Sequence, residues 1–334
     1  MIETDIIIIG AGPVGLFTVF EAGLLKLRCH IIDVLPQPGG QLTEIYPKKP
    51  IYDIPGFPEI LAGDLIENLM QQIAPFKPGF TLGEKAISIE KEGENFLVTT
   101  NGGKIHKAPN IAIAGGLGVF EPRKPPINNL SDFESQGVDY MIKNPEKYRN
   151  KNVVIAGGGD SALDWTIFLK DIAKSVTLVH RSGSFRGHLD SVQKVMNADE
   201  KGNLRLMTYT EITELSGSEK LEKVYAKIKD KEPEWIETDY FLPLFGLSPK
   251  LGPIADWGLN IDKNAIEVTT EDYSTNIPGI YAIGDINTYK GKLKLILCGF
   301  HEATLMVQSA FKRIYPDKNL VLKYTTVNGV NGFD

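Results

Sequence analysis

Residues 5–9 read Asp-Ile-Ile-Ile-Ile, an acid followed by four apolar β-branched residues, and the next six are Gly10-Ala-Gly12-Pro-Val-Gly15. An unbroken apolar run predicts a strand covered on both faces, since a half-exposed strand alternates with polar residues. The stretch over 16–25 has helical character, and residues 28–33, Arg-Cys-His-Ile-Ile-Asp, form a second apolar run that ends in an acid. Strand, glycine turn, helix and strand within about 30 residues make a βαβ unit. The same order returns in Asn-Val-Val-Ile-Ala at 152–156, Gly-Gly-Gly-Asp-Ser-Ala at 157–162, a helical stretch over 163–172 and Ser-Val-Thr-Leu-Val-His at 175–180. The pattern predicts two nucleotide-binding units in one chain. Residues 84–114 instead carry short β-like pieces around Ile87, Phe96 and Ile111 between Gly and Asn turns, which predicts a small antiparallel layer; residues 203–245 repeat that character. Proline-rich segments at 121–126 and 243–253 mark boundaries. The expected architecture is α/β, with two Rossmann-like three-layer domains and small antiparallel β layers. One domain is interrupted, covering 1–117 and 247–334, and the other, 118–246, is inserted in it.

Composition narrows the function classes. Of the 334 residues, 42% are hydrophobic and 23% charged, which excludes a disordered or fibrous chain. Lys plus Arg number 36 against 42 Asp plus Glu, so a net charge of −6 argues against nucleic acid or an acidic membrane surface as partner. Cys29 and Cys298 are too few for a disulfide framework and lack metal-ligand spacing, as do the five histidines, so a reducing, cytoplasmic setting and no metal are expected. The apolar stretch over 6–20 mimics a targeting signal, but Glu3 and Asp5 precede it, three glycines interrupt it and Glu21 closes it. His301, beside Glu302, reads as a helix-start residue.

The glycine turns carry the chemistry. In Gly10-x-Gly12-x-x-Gly15 the first glycine permits the tight turn, the second lets backbone N–H groups approach a pyrophosphate, and the third lets helix and strand pack closely. Asp33 follows Gly15 by 18 residues, where an acid at a strand end accepts hydrogen bonds from an adenosine ribose. The second turn, Gly157-x-Gly159-x-x-Ala162, lacks such an acid; His180, Arg181 and Arg186 stand there instead. A carboxylate favours a free 2′-hydroxyl, whereas guanidinium groups hold a 2′-phosphate, so this turn points to NADPH rather than NADH. Residues 275–285 form a short apolar strand that delivers Asp285 at its C-terminal end, where doubly wound sheets meet ligands. The competing readings are a tight turn without a ligand, a solvated loop carrying two arginines, and a capping aspartate.

These three motifs, in this order, resemble the two-domain FAD and NADPH flavoproteins of the disulfide-reductase type, over nearly the whole chain. Within that group the sequence is similar to ferredoxin-NADP reductases of the thioredoxin-reductase-like type, through Gly39-Gly-Gln41-Leu42, Ile45-Tyr46-Pro47, the segment 51–58 and the segment 294–300. Thioredoxin reductases carry a redox-active C-x-x-C just before the second glycine turn; residues 137–145 here contain no cysteine. Dithiol relay is thereby excluded, and the resemblance implies that electrons leave FAD directly for ferredoxin or flavodoxin, in a homodimer. Hydride passes from nicotinamide to flavin N5, so no protein acid or base is obligatory.

The resemblance also implies residue roles. Asp33 holds the ribose, Gln41 and Asp285 contact the flavin and its ribityl chain, Ala86 touches the adenine region through backbone, and Phe120 lines the cofactor. Tyr46 stacks on one flavin face; Tyr324, in a C-terminal tail supplied by the partner subunit, covers the other, with Thr326 close to the ring. A basic docking patch for an acidic ferredoxin is expected at Lys48, Lys49, Lys290, Lys292 and Lys294. Two rival readings stay open. One is a reductase of another acceptor, such as a quinone, an iron chelate or free flavin, and the other is a flavin- and NADPH-binding protein without turnover.

Overall fold

The computed structural model describes residues 1–118, 121–142, 144–200, 204–248, 250–318 and 325–333. The chain divides into two compact units, one made of Met1–Val119 with Pro249–Asp334, the other of Phe120–Ser248.

In the first unit the Ile6–Ile9 strand is the middle of a five-stranded parallel sheet. On one side lies Cys29–Asp33 and then Gly79–Leu82; on the other lies Asn110–Ile113 and then Ile280–Ala282. Ile6, Ile7 and Ile8 are fully buried, the reason their run has no polar alternation. Helices Pro13–Leu24, Ala62–Ile73 and Ile296–Ile314 contribute to the core on one side, in which Leu16, Val19, Leu65, Leu69, Met306 and Val307 pack with Ile6 and Ile8. Ile7, Ile9, Ile111 and Ile113 face a separate core with Phe96 and Val98 from a four-stranded layer, Ile2–Glu3, Ile105–Ala108, Asn95–Thr100 and Ala86–Glu92.

Two expectations change here. The strand at 111–113 does not join the antiparallel layer: Asn110–Ile113 pairs in parallel with both Ile6–Ile9 and Ile280–Ala282. All four of its residues are buried, a cue to a central strand that the Gly and Asn turns around it masked. The last long helix starts at Ile296, five residues before His301, which the sequence marks as its start. Gly299 obscured it, because glycine costs a helix about 1 kcal/mol relative to alanine. Here the missing side chain is what lets Val14 pack: an added Cβ at Gly299 would stand 2.4 Å from Val14 Cγ2.

In the second unit Asn152–Ala156 pairs in parallel with Ser175–Val179 on one side and Tyr240–Pro243 on the other, and Arg205–Met207 extends the sheet. A three-stranded antiparallel meander follows, Thr210–Gly217, Leu221–Ile228 and Glu234–Glu237. Among the described residues no helix is long and apolar enough to cross a membrane.

Candidate functional site

At the first glycine turn the three glycines have three different surroundings. Gly10, at φ +116°, sits in a conformation L side chains avoid, and a Cβ there would lie 2.4 Å from the Ala114 carbonyl oxygen. A Cβ on Gly15 would lie 2.0 Å from the Gly10 carbonyl oxygen, so helix and strand pack backbone to backbone. Gly12 is the opposite case: apart from its own chain neighbours, no described residue comes within 4 Å of its added Cβ. Gly12 is also the N-cap of Pro13–Leu24 without a side-chain cap, and Pro13 takes the first helical position. The first N–H groups of that helix have no partner within it, and the space beside Gly12 is open, so the helix dipole favours an anion there.

Asp33 is held at the adjoining strand end. Its Oδ2 accepts from the Ala11 N–H at 2.5 Å and its Oδ1 from the Leu35 N–H at 2.8 Å. Burial raises its pKa while these two N–H groups oppose the rise. Glu84 N–H donates to the Asp33 carbonyl at 3.1 Å, which brings the start of Ala86–Glu92 to the same strand end; the Ala86 side chain itself is buried in the core.

The Asp285 turn meets the helix starts. Gly284, at φ +76°, leaves an added Cβ only 3.4 Å from Val14, and Val14 in turn touches Gly299. Burial raises the pKa of Asp285, with Lys292 and Lys294 pulling it back down and Glu302 adding to the rise. Burial and the Asp285 charge also push the Tyr46 phenol up, so Tyr46 and Asp285 share one neighbourhood. Gln41 opens the short helix Gln41–Glu44, and its Nε2 lies 3.9 Å from where a Gly116 Cβ would stand, beside the Gly10 turn.

What the sequence reading missed is the group that holds this turn. Glu302 is fully buried and accepts four hydrogen bonds: from Gly284 N–H at 2.6 Å, Asn287 Nδ2 at 2.9 Å, Tyr289 Oη at 2.9 Å and Lys292 Nζ at 2.5 Å. Lys292 is accordingly not part of an exposed patch: its side chain is 7% exposed and its ammonium is spent on Glu302. Lys48, Lys290 and Lys294 are exposed, and Lys49 lies over the Tyr46 ring at 5.9 Å. The only local cue to Glu302 was its neighbour His301, which is exposed within the helix. Asn287 Oδ1 is buried with no hydrogen-bond partner among the described residues, an open acceptor two residues beyond Asp285.

At the second turn, Gly159 is again an N-cap without a side-chain cap, opens Asp160–Leu169, and apart from its chain neighbours has no described residue within 4 Å of an added Cβ. A Cβ on Gly157 would lie 2.7 Å from the Leu244 carbonyl oxygen, and Ala162 is buried beside it. His180 is buried and has a supporting place: its ring stacks on Phe185 at 4.7 Å and its Nε2 lies 3.0 Å from the Ser184 carbonyl and from Ser182 Oγ. It thus folds the loop that follows, in which Arg181 and Arg186 are both exposed. Arg186 N–H donates to the Gly158 carbonyl at 2.8 Å, tying that loop to the turn.

Phe120 and Tyr324 lie outside the described residues. Thr326 is exposed in a single turn, Thr325–Asn328. Beyond it the chain folds back on its own first unit: Lys26 Nζ donates to the Asn331 and Gly332 carbonyls, Phe333 N–H donates to Pro75, and the Arg28 guanidinium lies 4.8 Å from the Phe333 ring. That anchor is at the start of Cys29–Asp33, the end of the strand away from Asp33.

Two uncapped glycine turns, an acid fixed at one strand end and arginines at the other fit two nucleotides, a dinucleotide such as FAD on the first unit and NADPH on the second. The family model for pyridine nucleotide-disulphide oxidoreductases matches residues 4–303. A protein of Christiangramia forsetii named ferredoxin–NADP reductase 2 is 67% identical over the whole of this chain and 96% of its own. A ferredoxin–NADP reductase of a Bradyrhizobium species is 49% identical over 97% of this chain and 95% of its own. Among solved structures, the thioredoxin reductase of T. acidophilum superposes with a TM-score of 0.80 at 24% identity, covering 93% of this chain and 99% of that one.

Proposed function

The chain belongs to the pyridine nucleotide-disulphide oxidoreductase family, and from that premise we propose that it is an FAD-dependent oxidoreductase moving electrons between NADPH and ferredoxin or flavodoxin. The observation that carries the reading is a flavoprotein frame without a dithiol. Cys29 is buried in a central parallel sheet, its thiol pushed far up by burial, and Cys298 stands alone on the last long helix. Neither can relay electrons to a disulfide substrate, so an outside acceptor receives them. Relatives of 49–67% identity that bear the ferredoxin–NADP reductase name support that acceptor.

When bound, FAD supplies the redox chemistry, accepting hydride from NADPH and releasing electrons one at a time. The chain's part is to bind and orient. Gly10, Gly12 and Gly15 leave the N-terminus of Pro13–Leu24 open to the pyrophosphate, and Asp33 takes the ribose. Gln41, Asp285 and Thr326 address the flavin and ribityl chain, Ala86 and Phe120 flank the cofactor, and Tyr46 and Tyr324 cover its two faces and exclude water. Gly157 and Gly159 admit the NADPH pyrophosphate; Arg181 and Arg186 take its 2′-phosphate, on a loop that His180 supports. The domains 1–117 with 247–334 and 118–246 are assigned to FAD and NADPH respectively. The reading extends to a homodimer in the cytoplasm, as the resemblance implies, without a nucleic-acid or membrane partner, which the net charge of −6 supports.

Cytochrome c reduction by the FAD-loaded protein tests this. Turnover is expected to require both NADPH and ferredoxin, with NADH a poor substitute. Flavin bleaching by NADPH that no ferredoxin or flavodoxin accelerates would keep the cofactors and remove the acceptor.

A further inference from the structure

An open cavity of about 850 Å³ lies beyond Arg181 in the second unit, bounded by Tyr209 and by the Ile228 end of the Leu221–Ile228 strand with the turn that follows it. Seven of its nine lining residues are charged, four cations (Arg181, Lys227, Lys229 and Lys231) against three carboxylates, and among the described residues no ion pair engages any of them. Charges gathered in a concave site and without an ion pair among the described residues suit a ligand that supplies the partner. The excess is a single positive charge, the scale of one phosphate rather than of a nucleic-acid backbone.

Tyr209 is the other unusual member. Its φ of +51° is uncommon for any residue with a Cβ and an outlier for a bulky aromatic, and the residue is 53% exposed in the cavity wall. Local structure holds it there: Lys229 N–H donates to the Tyr209 carbonyl at 2.9 Å, and the next residue, Thr210, donates its N–H to the His180 carbonyl at 3.0 Å. Gly183, two residues beyond Arg181, makes room for the ring, since a Cβ there would stand 2.2 Å from Tyr209 Oη. Lys229 Nζ lies 6.0 Å from the ring centroid. A strained residue that presents a half-exposed ring beside two cations with no ion pair among the described residues is suited to a flat, phosphorylated ligand.

We propose that Tyr209 and Lys229 complete the seat for the adenosine 2′-phosphate end of NADPH, the phenol ring carrying the purine and the Lys229 ammonium sharing the phosphate with Arg181. The inference rests on the NADPH reading and adds to it a specificity-determining residue, Lys229, at the end of the second meander strand and 48 residues beyond Arg181. Lys229 acts on the phosphate alone, Tyr209 on the base.

Calorimetric titration of the FAD-loaded protein with 2′,5′-ADP and with 5′-AMP separates the two roles. Lys229→Ala is expected to weaken 2′,5′-ADP about tenfold, the loss of one charge-assisted contact, and to leave 5′-AMP unchanged; Lys229→Arg restores the affinity. Tyr209→Leu is expected to weaken both ligands by a similar factor of about ten. Wild-type affinity for 2′,5′-ADP in Lys229→Ala, while Arg181→Ala loses it, overturns this proposal and leaves the NADPH reading standing. A wild-type protein that binds the two ligands equally overturns both. Lys229 is a surface residue, so its variants fold, and circular dichroism of each protein checks Tyr209→Leu.

Discussion

Replacing Gly12 by alanine separates binding from folding, because the structure assigns the three glycines of the first turn different duties. An alanine methyl at position 12 meets no described residue within 4 Å apart from its own chain neighbours, and the backbone there, φ −69° and ψ 178°, is open to any residue. Alanine is a poorer N-cap than glycine by a few tenths to about 1 kcal/mol, and it lowers unfolded-chain entropy by about 0.4–1 kcal/mol. The two nearly cancel, so the apoprotein is expected to keep its stability within about 0.5 kcal/mol. The same methyl occupies the space in front of the helix N–H groups. Loss of one charge-assisted hydrogen bond to the pyrophosphate, about 1.5–3 kcal/mol, weakens FAD binding about tenfold to hundredfold. Gly15→Ala is the counterpart: its methyl would lie 2.0 Å from the Gly10 carbonyl oxygen, backbone on both sides, and overpacking of that kind costs about 1–3 kcal/mol in the apoprotein. Urea unfolding of both apoproteins, with flavin fluorescence titration, reads the two effects. If Gly12→Ala binds FAD as tightly as the wild type, or loses as much stability as Gly15→Ala, the division of labour is wrong.

Three further outcomes follow from the same structure. Burial, His106 and Lys104, in that order, hold His30 near pKa 4 against 6.5 unfolded, and burial lowers His106 also. The unfolded chain therefore binds the proton first, so stability is complete above about pH 6.5 and falls as pH drops toward 4, by about 3 kcal/mol for His30; His30→Gln should flatten urea midpoints across that window, and an unchanged slope refutes the assignment. Glu302→Gln breaks a buried ion pair with Lys292 and should destabilise the protein by about 3 kcal/mol, with flavin affinity falling as the Asp285 turn loosens; denaturation at wild-type midpoint refutes the clamp. Charge reversal at Lys48, Lys290 and Lys294 should raise the ferredoxin KM and reduce its salt dependence, without the loss of stability that Lys292→Glu brings.

Much of this was legible in short windows. The Ile6–Ile9 run, its glycine turn and the acid at 33 are neighbours in sequence and become neighbours in space through one strand, one turn and one helix. The second turn follows the same local rule, and the lack of a cysteine pair needed no structure at all. Reading such segments works because strand burial, tight turns and helix starts are decided by residues a few positions apart.

What the sequence left undecided depends on partners far along the chain. Asn110–Ile113 is a central parallel strand because Ile6–Ile9 and Ile280–Ala282, more than 100 residues away on either side, flank it. Lys292 looked like its solvent-exposed neighbours until the helix from Ile296 placed Glu302 against it, and only then did its charge become internal. Tyr209 and Lys229 carry no motif, and they stand with Arg181 because the hairpin returns beside the Ser175–Val179 strand end. Local patterning therefore determined which elements form and which nucleotides they suit, whereas burial, ion pairing and the walls of the cavity were settled by long-range packing, which a window of neighbouring residues does not contain.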